Sequence, residues 1–505
     1  MKSLKIACLG GGSLYFPRAL VDLAWRKDLS GSEIVLYDLD GEKAERMAAK
    51  GREYVRQAGA DLTIRAVPGL GEALDAADFV VTSIGGSGAE ITTDVYRSTY
   101  HEADILIPRK YGIHQIVGDT CGPAGMMMAF RSIPAYLAIC REMEKRCPQA
   151  ILINHSNPMS VLCRAMRKYT GITVIGLCHG VQAGIRHAAE ILKIPAQELE
   201  CVWIGTNHYY WFVQIRHNGK DVYPELMKRT AEQLPEKKST LSAQLSRIYG
   251  HQIVYPEDDH IIEFYPFLTQ LPRGRDDLPE GLAESDRQFN GGLDGDHNEY
   301  GNFKVITKRR AERDVHLSRT SGWAARSARG SLPACARAPA REFGQGCRGS
   351  DSVPPANIRK EFMKKYQATL DKIPLPEKSS DHISGEGLAG MISAMAHGRR
   401  ELCIANIANQ GAISNLPFTA EVELEAVTDS RGVRPIHVGE APLVLKGILE
   451  KRFVWQELVV DAAVKGDRKL ALQALMLDEM AVWPDKAEKM LDELLSASKN
   501  LLPQF

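Results

Sequence analysis

Residues 4–13 read LKIACLGGGS, and this stretch decides the fold. A short apolar run stops at Gly10, Gly11, Gly12 and Ser13, and an amphipathic stretch follows with Leu20, Leu23, Ala24 and Trp25 near helical spacing. A buried strand that passes into a helix through glycine is the opening of a βαβ unit. The pattern recurs downstream. EIVLYDLD (33–40), DFVVTSI (78–84), AILI (150–153) and ITVIGL (172–177) are further buried-strand patterns, and a charged helical stretch runs over about 41–57. Strands alternating with helices predict a parallel sheet.

After Cys201 the character changes. Residues 202–224 alternate in polarity and carry an Asn218-Gly219 turn signal, which reads as antiparallel pairing. Residues 437–499 read as mainly helical. The expected fold class is therefore α/β, with a Rossmann-like parallel sheet over residues 1–200 and an α+β catalytic or substrate domain over 201–505. Residues 309–352 stand apart: they are rich in Arg, Ala, Ser, Gly and Pro, and periodicity disappears. A structureless loop of that length is unusual inside a compact domain. The composition is what a shifted reading frame, restored near Ile358, would leave.

Lys plus Arg and Asp plus Glu both number 63 in 505 residues, so the formal charge is zero and argues for neither nucleic acid nor an acidic membrane as partner. Ten cysteines lie scattered with no CxxC pair, which is not a disulfide framework. The N-terminus reads as a first strand and not as a signal peptide, and no apolar run approaches the roughly 18 residues of a membrane span. The expected compartment is the cytoplasm.

The turn at Gly10, Gly11, Gly12 and Ser13 lets the backbone approach a pyrophosphate at a helix start. Asp38 ends the second strand, where a carboxylate accepts hydrogen bonds from ribose hydroxyls and disfavours a 2′-phosphate. The pair predicts a dinucleotide site for NAD, with a structural glycine turn as the alternative. Residues 83–88, SIGGSG, supply the expected second loop, with Ser83 and Gly85 facing the cofactor.

Four polar stretches follow or end predicted strands: GDTCGPAG (118–125), INHSNPMS (153–160), GLCHGVQ (176–182) and GTNHYYW (205–211). Cys178 and His208 are the candidate metal ligands, because a thiolate and an imidazole hold a divalent transition ion and leave positions open for substrate oxygens. A buried hydrophobic Cys and a satisfied core His are the bland alternatives.

These stretches, together with LGGGS (9–13), DDHIIEFYPF (258–267) and NIANQGAISNLP (406–417), resemble glycoside hydrolase family 4. The resemblance covers nearly the whole chain apart from about 275–357. It implies a nucleotide domain like that of lactate and malate dehydrogenases, a glycosidase activity, the cofactors NAD and Mn2+ (or Co2+ or Ni2+), and a homodimer or homotetramer. It also implies a mechanism outside the two-carboxylate scheme. Hydride leaves sugar C3 for NAD, the ketone acidifies the C2 proton, a base removes it while the metal acts as a Lewis acid, the C1 group is eliminated, water adds and the hydride returns. On this resemblance Cys178 and His208 hold the ion, Asn157 and His179 contact the sugar, and Asp119 is a candidate proton donor to the leaving oxygen. The base is Asp259, with Asp258 and Tyr265 as alternatives. A capping Asp119, a turn-forming Asn157 and a solvated acidic turn at 258–259 remain open.

Gly180 follows Cys178-His179 where relatives resembling α-galactosidases carry Ser and those resembling α-glucosidases an acidic residue. A glycine there is similar to the subgroup acting on α-linked hexuronic acids, and the missing side chain is expected to make room for a carboxylate. The favoured substrate is an α-glucuronide or α-galacturonide, ahead of an α-galactoside or α-glucoside. A 2-hydroxy-acid dehydrogenase and an inactive NAD-binding relative are the rivals of another class.

Overall fold

A computed structural model describes residues 3–85, 99–232, 241–290, 356–373 and 387–505. The atypical segment 309–352 and the glycine loop beyond Gly85 lie outside the described residues.

Among the described residues a parallel sheet forms from the five strands that the sequence predicts, β1 (Lys5–Leu9), β2 (Ser32–Tyr37), β4 (Phe79–Thr82), β5 (Ile151–Asn154) and β6 (Thr173–Gly176), and from one that it did not, β3 (Leu62–Ala66). Their order is β6-β5-β4-β1-β2-β3, the doubly wound arrangement whose direction reverses between β1 and β4. Alternation of side chains splits every one of these strands except the edge strand β3 between two cores. Ala7, Leu9, Val35, Val80, Leu152 and Val174 pack on one face, with the helix Gly122–Arg146. Ile6, Cys8, Ile34, Leu36, Val81, Ile153 and Ile175 pack on the other, with the helices Phe16–Trp25 and Gly41–Ala58. Both faces are covered, so the strands inside the sheet read as continuous apolar runs.

Three strands late in the chain extend this sheet. After β7 (Leu199–Thr206), β8 (Tyr209–His217) and β9 (Lys220–Asp221), which form a separate antiparallel sheet, β10 (Leu402–Ala408), β11 (Glu421–Asp429) and β12 (Gly432–Pro435) add antiparallel to one another. β10 joins β6 through Asn406 opposite Gly176. Among the described residues the sheet therefore has nine strands, and it draws on both halves of the sequence. The Asn218-Gly219 signal marks the turn from β8 into β9, where His217 faces Lys220. The helices Leu443–Lys465, Arg468–Leu477 and Pro484–Ser498 account for the helical C-terminal pattern. Among the described residues, no helix is long and apolar enough to cross a membrane.

Candidate functional site

The loops that leave β1, β4, β5 and β6 lie together at the carboxyl ends of the parallel strands, where open α/β sheets bind ligands. The first carries the glycines. Gly10 has a φ of 74°, and a Cβ on it would lie 2.1 Å from the Ser83 carbonyl oxygen. A Cβ on Gly11 would meet the Leu36 Cβ at 2.8 Å, and one on Gly12 the Lys43 Cβ at 2.4 Å. No side chain fits at any of the three glycines, so they offer only backbone. Asp38 shapes it further, since its Oδ2 accepts from the Gly12 N–H at 2.9 Å and its Oδ1 from the Asp40 N–H at 2.8 Å. Burial raises the pKa of this carboxyl. The Ser13 and Ser83 hydroxyls are 2.9 Å apart and tie the β1 loop to the β4 loop, and Gly85 is exposed at the end of the latter. The Ile84 N–H donates to Ser156 Oγ at 2.9 Å, which brings in the β5 loop.

The β5 loop presents Asn157, whose Nδ2 donates to Asp119 Oδ2 at 2.6 Å. The other oxygen of Asp119 accepts from the Thr120 hydroxyl at 2.5 Å, and Thr120 Oγ1 lies 3.0 Å from His208 Nδ1. His208 Nε2 faces Cys178 Sγ across 3.5 Å. Thus Asn157, Asp119, His208 and Cys178, from four separate stretches, form one chain of contacts, with Asp119, His208 and Cys178 buried and Asn157 and Thr120 half-buried. His179, the next residue after Cys178, is exposed beside it.

His208 is held in an unusual backbone state. It occupies the second position of the two-residue turn between β7 and β8, with φ at 63°. A non-glycine residue there needs support from its surroundings. β11 supplies it: Trp203 Nε1 donates to the Glu423 carbonyl, Thr206 Oγ1 to the Glu421 carbonyl, and Asn207 Nδ2 to Glu423 Oε2, each at 2.9 Å. Burial, with help from the neighbouring His260, pushes the His208 imidazole down to about 3, so the ring is neutral and keeps a lone pair for a metal.

The remaining candidates divide. Residues Asp258–Ile261 form a helical turn, and the two carboxylates part company. Asp258 accepts from the Leu241 and Ser242 N–H groups at 2.8 Å each, as the cap of the helix Leu241–Tyr249. Asp259 is buried and accepts from His260 Nδ1 at 2.8 Å. The His260 ring meets the His208 ring edge-on at a centroid distance of 4.7 Å. Burial opposes the charge on His260, but Asp259 and Asp119 prevail and lift it to about 9. Tyr265 sits deeper, in an aromatic cluster with Tyr209, Tyr249 and Phe267, and burial raises its phenol strongly. The expected room above Gly180 is not there: a Cβ at that position would lie 2.0 Å from the Tyr210 hydroxyl and 2.8 Å from the Tyr255 ring. The glycine is required by protein aromatics and leaves no slot for a ligand.

Sequence reasoning missed several residues that build the site. Tyr255 lies beside His208 and His260, with centroid distances of 5.0 and 4.9 Å. Glu263 is fully buried and grips the loop that carries Asp119. Its Oε1 accepts from the N–H groups of Ile116 (2.8 Å), Val117 (2.7 Å) and Gly118 (3.0 Å). Burial and the charge of Asp119 raise its carboxyl to about 7. The signal was a single acid inside the apolar run IIEFYPF, where a charge requires dedicated partners.

The cysteine–histidine pair fits a metal. An ion about 2.3 Å from sulfur and about 2.1 Å from nitrogen in tetrahedral geometry sets those atoms roughly 3.6 Å apart, and the pair stands at 3.5 Å. Among the described residues, Asp119, His208 and His260 also bring ligand atoms within 4.8 Å of one another. The all-glycine turn beside Ser83 fits a dinucleotide.

Comparison with known proteins agrees with this architecture. The chain is 25% identical over 508 residues to an alpha-galactosidase of Bacillus subtilis (strain 168), covering 99% of each. It is 26% identical to an alpha-galacturonidase of Lachnoclostridium phytofermentans, covering 100% of this chain and 98% of that one. A solved 6-phospho-alpha-glucosidase from gut microorganisms, in complex with NAD and Mn2+, superposes with a TM-score of 0.70 at 19% identity over the full length of both. The Family 4 glycosyl hydrolase pattern matches residues 5–194, and the C-terminal domain pattern of the same family matches residues 203–481. The protein therefore belongs to glycosyl hydrolase family 4.

Proposed function

We propose that this glycosidase depends on NAD and Mn2+ and cleaves an α-linked hexuronide, with an α-hexoside as the second reading. The observation that carries the proposal is the Cys178–His208 pair, 3.5 Å apart with a neutral imidazole. The solved relative with NAD and Mn2+ supports the cofactors. The galacturonidase and galactosidase relatives, at nearly equal identity, support the two sugar classes in turn.

When bound, NAD exchanges a hydride with sugar C3 and the divalent ion acts as a Lewis acid on the neighbouring oxygens. The chain's own residues do the rest. Cys178, just beyond β6, and His208, in the turn between β7 and β8, would hold the ion. Asn157 and His179 orient sugar hydroxyls. Asp119, once it has taken a proton from solvent, would pass that proton to the departing oxygen, with both its oxygens held by Asn157 and Thr120. Asp259 removes the C2 proton, and its partner His260 holds its carboxylate in place.

The test is hydrolysis of aryl α-galacturonide, α-glucuronide, α-galactoside and α-glucoside in D2O, with NAD and Mn2+ supplied. Turnover should need both additions and should place deuterium at C2 of the product. Cys178→Ser and His208→Asn should abolish it. Turnover that ignores the ion, or a product without deuterium, would remove the proposal. A faster galactoside than galacturonide would favour the second reading.

A further inference from the structure

Donor and acceptor accounting along this contact chain assigns Thr120 a role. A threonine hydroxyl has one proton and two lone pairs. Its proton goes to Asp119 Oδ1 at 2.5 Å. The same oxygen sits 3.0 Å from His208 Nδ1, so in that contact it can only accept. Nδ1 must then carry the ring proton. An imidazole that binds an ion through one nitrogen keeps its proton on the other, so the ligating atom is Nε2, the nitrogen that faces Cys178 Sγ. Asp119 cannot do this itself, because its nearest oxygen is 4.0 Å from Nδ1.

We propose that Thr120 is a positioning residue for the metal site: its hydroxyl, aligned by Asp119, fixes the His208 tautomer and ring orientation so that Nε2 and Cys178 Sγ present themselves together to a divalent ion. The inference rests on the proposed metal-dependent function. It extends that function from the two ligands to the group that prepares one of them. Partners of this kind orient metal-bound histidines, and their loss commonly weakens metal affinity about 10- to 100-fold. The link also joins the ion to the sugar side of the site. Asp119 bridges Thr120 to Asn157, so the metal ligand and the residue placed on the sugar hydroxyls share one carboxylate.

The experiment measures Mn2+ affinity directly, by the electron paramagnetic resonance signal of free Mn2+ during titration of the full chain. Thr120→Val keeps the shape and removes the hydroxyl, Thr120→Ser keeps the hydroxyl, and Cys178→Ser is the control for the site. The expected result is an affinity loss of about 10- to 100-fold for Thr120→Val, less than about threefold for Thr120→Ser, and loss of binding for Cys178→Ser. Equal weakening by Val and Ser would overturn the proposal, because packing and not the hydroxyl would then matter. Unchanged affinity in Thr120→Val with loss in Cys178→Ser would overturn it while leaving the metal site standing. Unchanged affinity in all three would overturn both. Nitrogen-15 spectra of histidine in the unsubstituted, metal-free protein give a second test that needs no folded Thr120 variant. The signal that disappears in His208→Asn should report a proton on Nδ1, and a proton on Nε2 would refute the assignment.

Discussion

A Cβ placed on Gly180 would lie 2.0 Å from the Tyr210 hydroxyl oxygen, so the residue after the Cys178-His179 pair and the second residue after His208 constrain each other directly. Gly180→Ala should destabilise the protein by about 1–3 kcal/mol, the usual cost of forcing a methyl group into a filled core. Tyr210→Phe removes the clashing oxygen. The double variant Gly180→Ala/Tyr210→Phe should therefore recover much of the loss, leaving only the Tyr255 ring edge at 2.8 Å. Denaturant midpoints of the four proteins check this, and additive losses would show that the contact is not what fixes the glycine.

Glu263 links stability to pH. In the folded protein its carboxyl keeps its proton up to about 7, because burial and Asp119 disfavour the charge, whereas in the unfolded chain it ionises near 4.5. Between those values the folded state binds more protons, so this contribution to stability falls as pH rises through the window. Glu263→Gln removes the titration. The stability difference, parent minus variant, should thus be larger at pH 5 than at pH 7.5, by up to about 1.4 kcal/mol per pH unit inside the window. A difference that grows with pH would reverse the assignment.

Arg452 holds the start of the helix Gly122–Arg146 from the far side. It is buried against Phe264 and Trp455, pairs with Asp478 at 3.3 Å and contacts Glu479, and Asp478 accepts the Gly122 N–H at 3.1 Å. Arg452→Met would strand a buried carboxylate. The expected loss is about 3–5 kcal/mol, read from equilibrium unfolding. A loss below about 1 kcal/mol would mean that Asp478 finds compensation elsewhere.

Asn207→Ala should act locally. It removes the donor to Glu423 Oε2 beneath the His208 turn and leaves that carboxylate oxygen to be satisfied another way. The expected cost is about 1–3 kcal/mol, together with weaker Mn2+ binding, because His208 depends on that turn for its left-handed backbone. Full stability with unaltered metal affinity would show that the backbone contacts from Trp203 and Thr206 to β11 suffice.

The short apolar runs of β1, β2, β4, β5 and β6 and the glycines at the end of β1 were readable directly, because both are local. Strand period two sorts neighbours such as Ala7 and Cys8 onto opposite faces, and the Gly10–Gly12 turn sits directly against the strands it joins. β3 escaped notice because its stretch LTIRA has one fully buried residue, Ile64, and so no apolar run. The residues quoted in the four polar loops already included every link of the chain Asn157–Asp119–Thr120–His208–Cys178. Their order in that chain was invisible.

The sequence by itself determined the doubly wound sheet and which side chains could serve as ligands, since period, glycine sterics and residue chemistry act over a few neighbouring positions. Tertiary packing decided the rest: that β10–β12 continue the first sheet, that Asp258 caps a helix while Asp259 joins His260, that Glu263 grips the Asp119 loop, and that tyrosines fill the space at Gly180. Each of these joins side chains from different elements, and hydrogen bonds and close packing act over a few ångströms of space, whatever the separation along the chain.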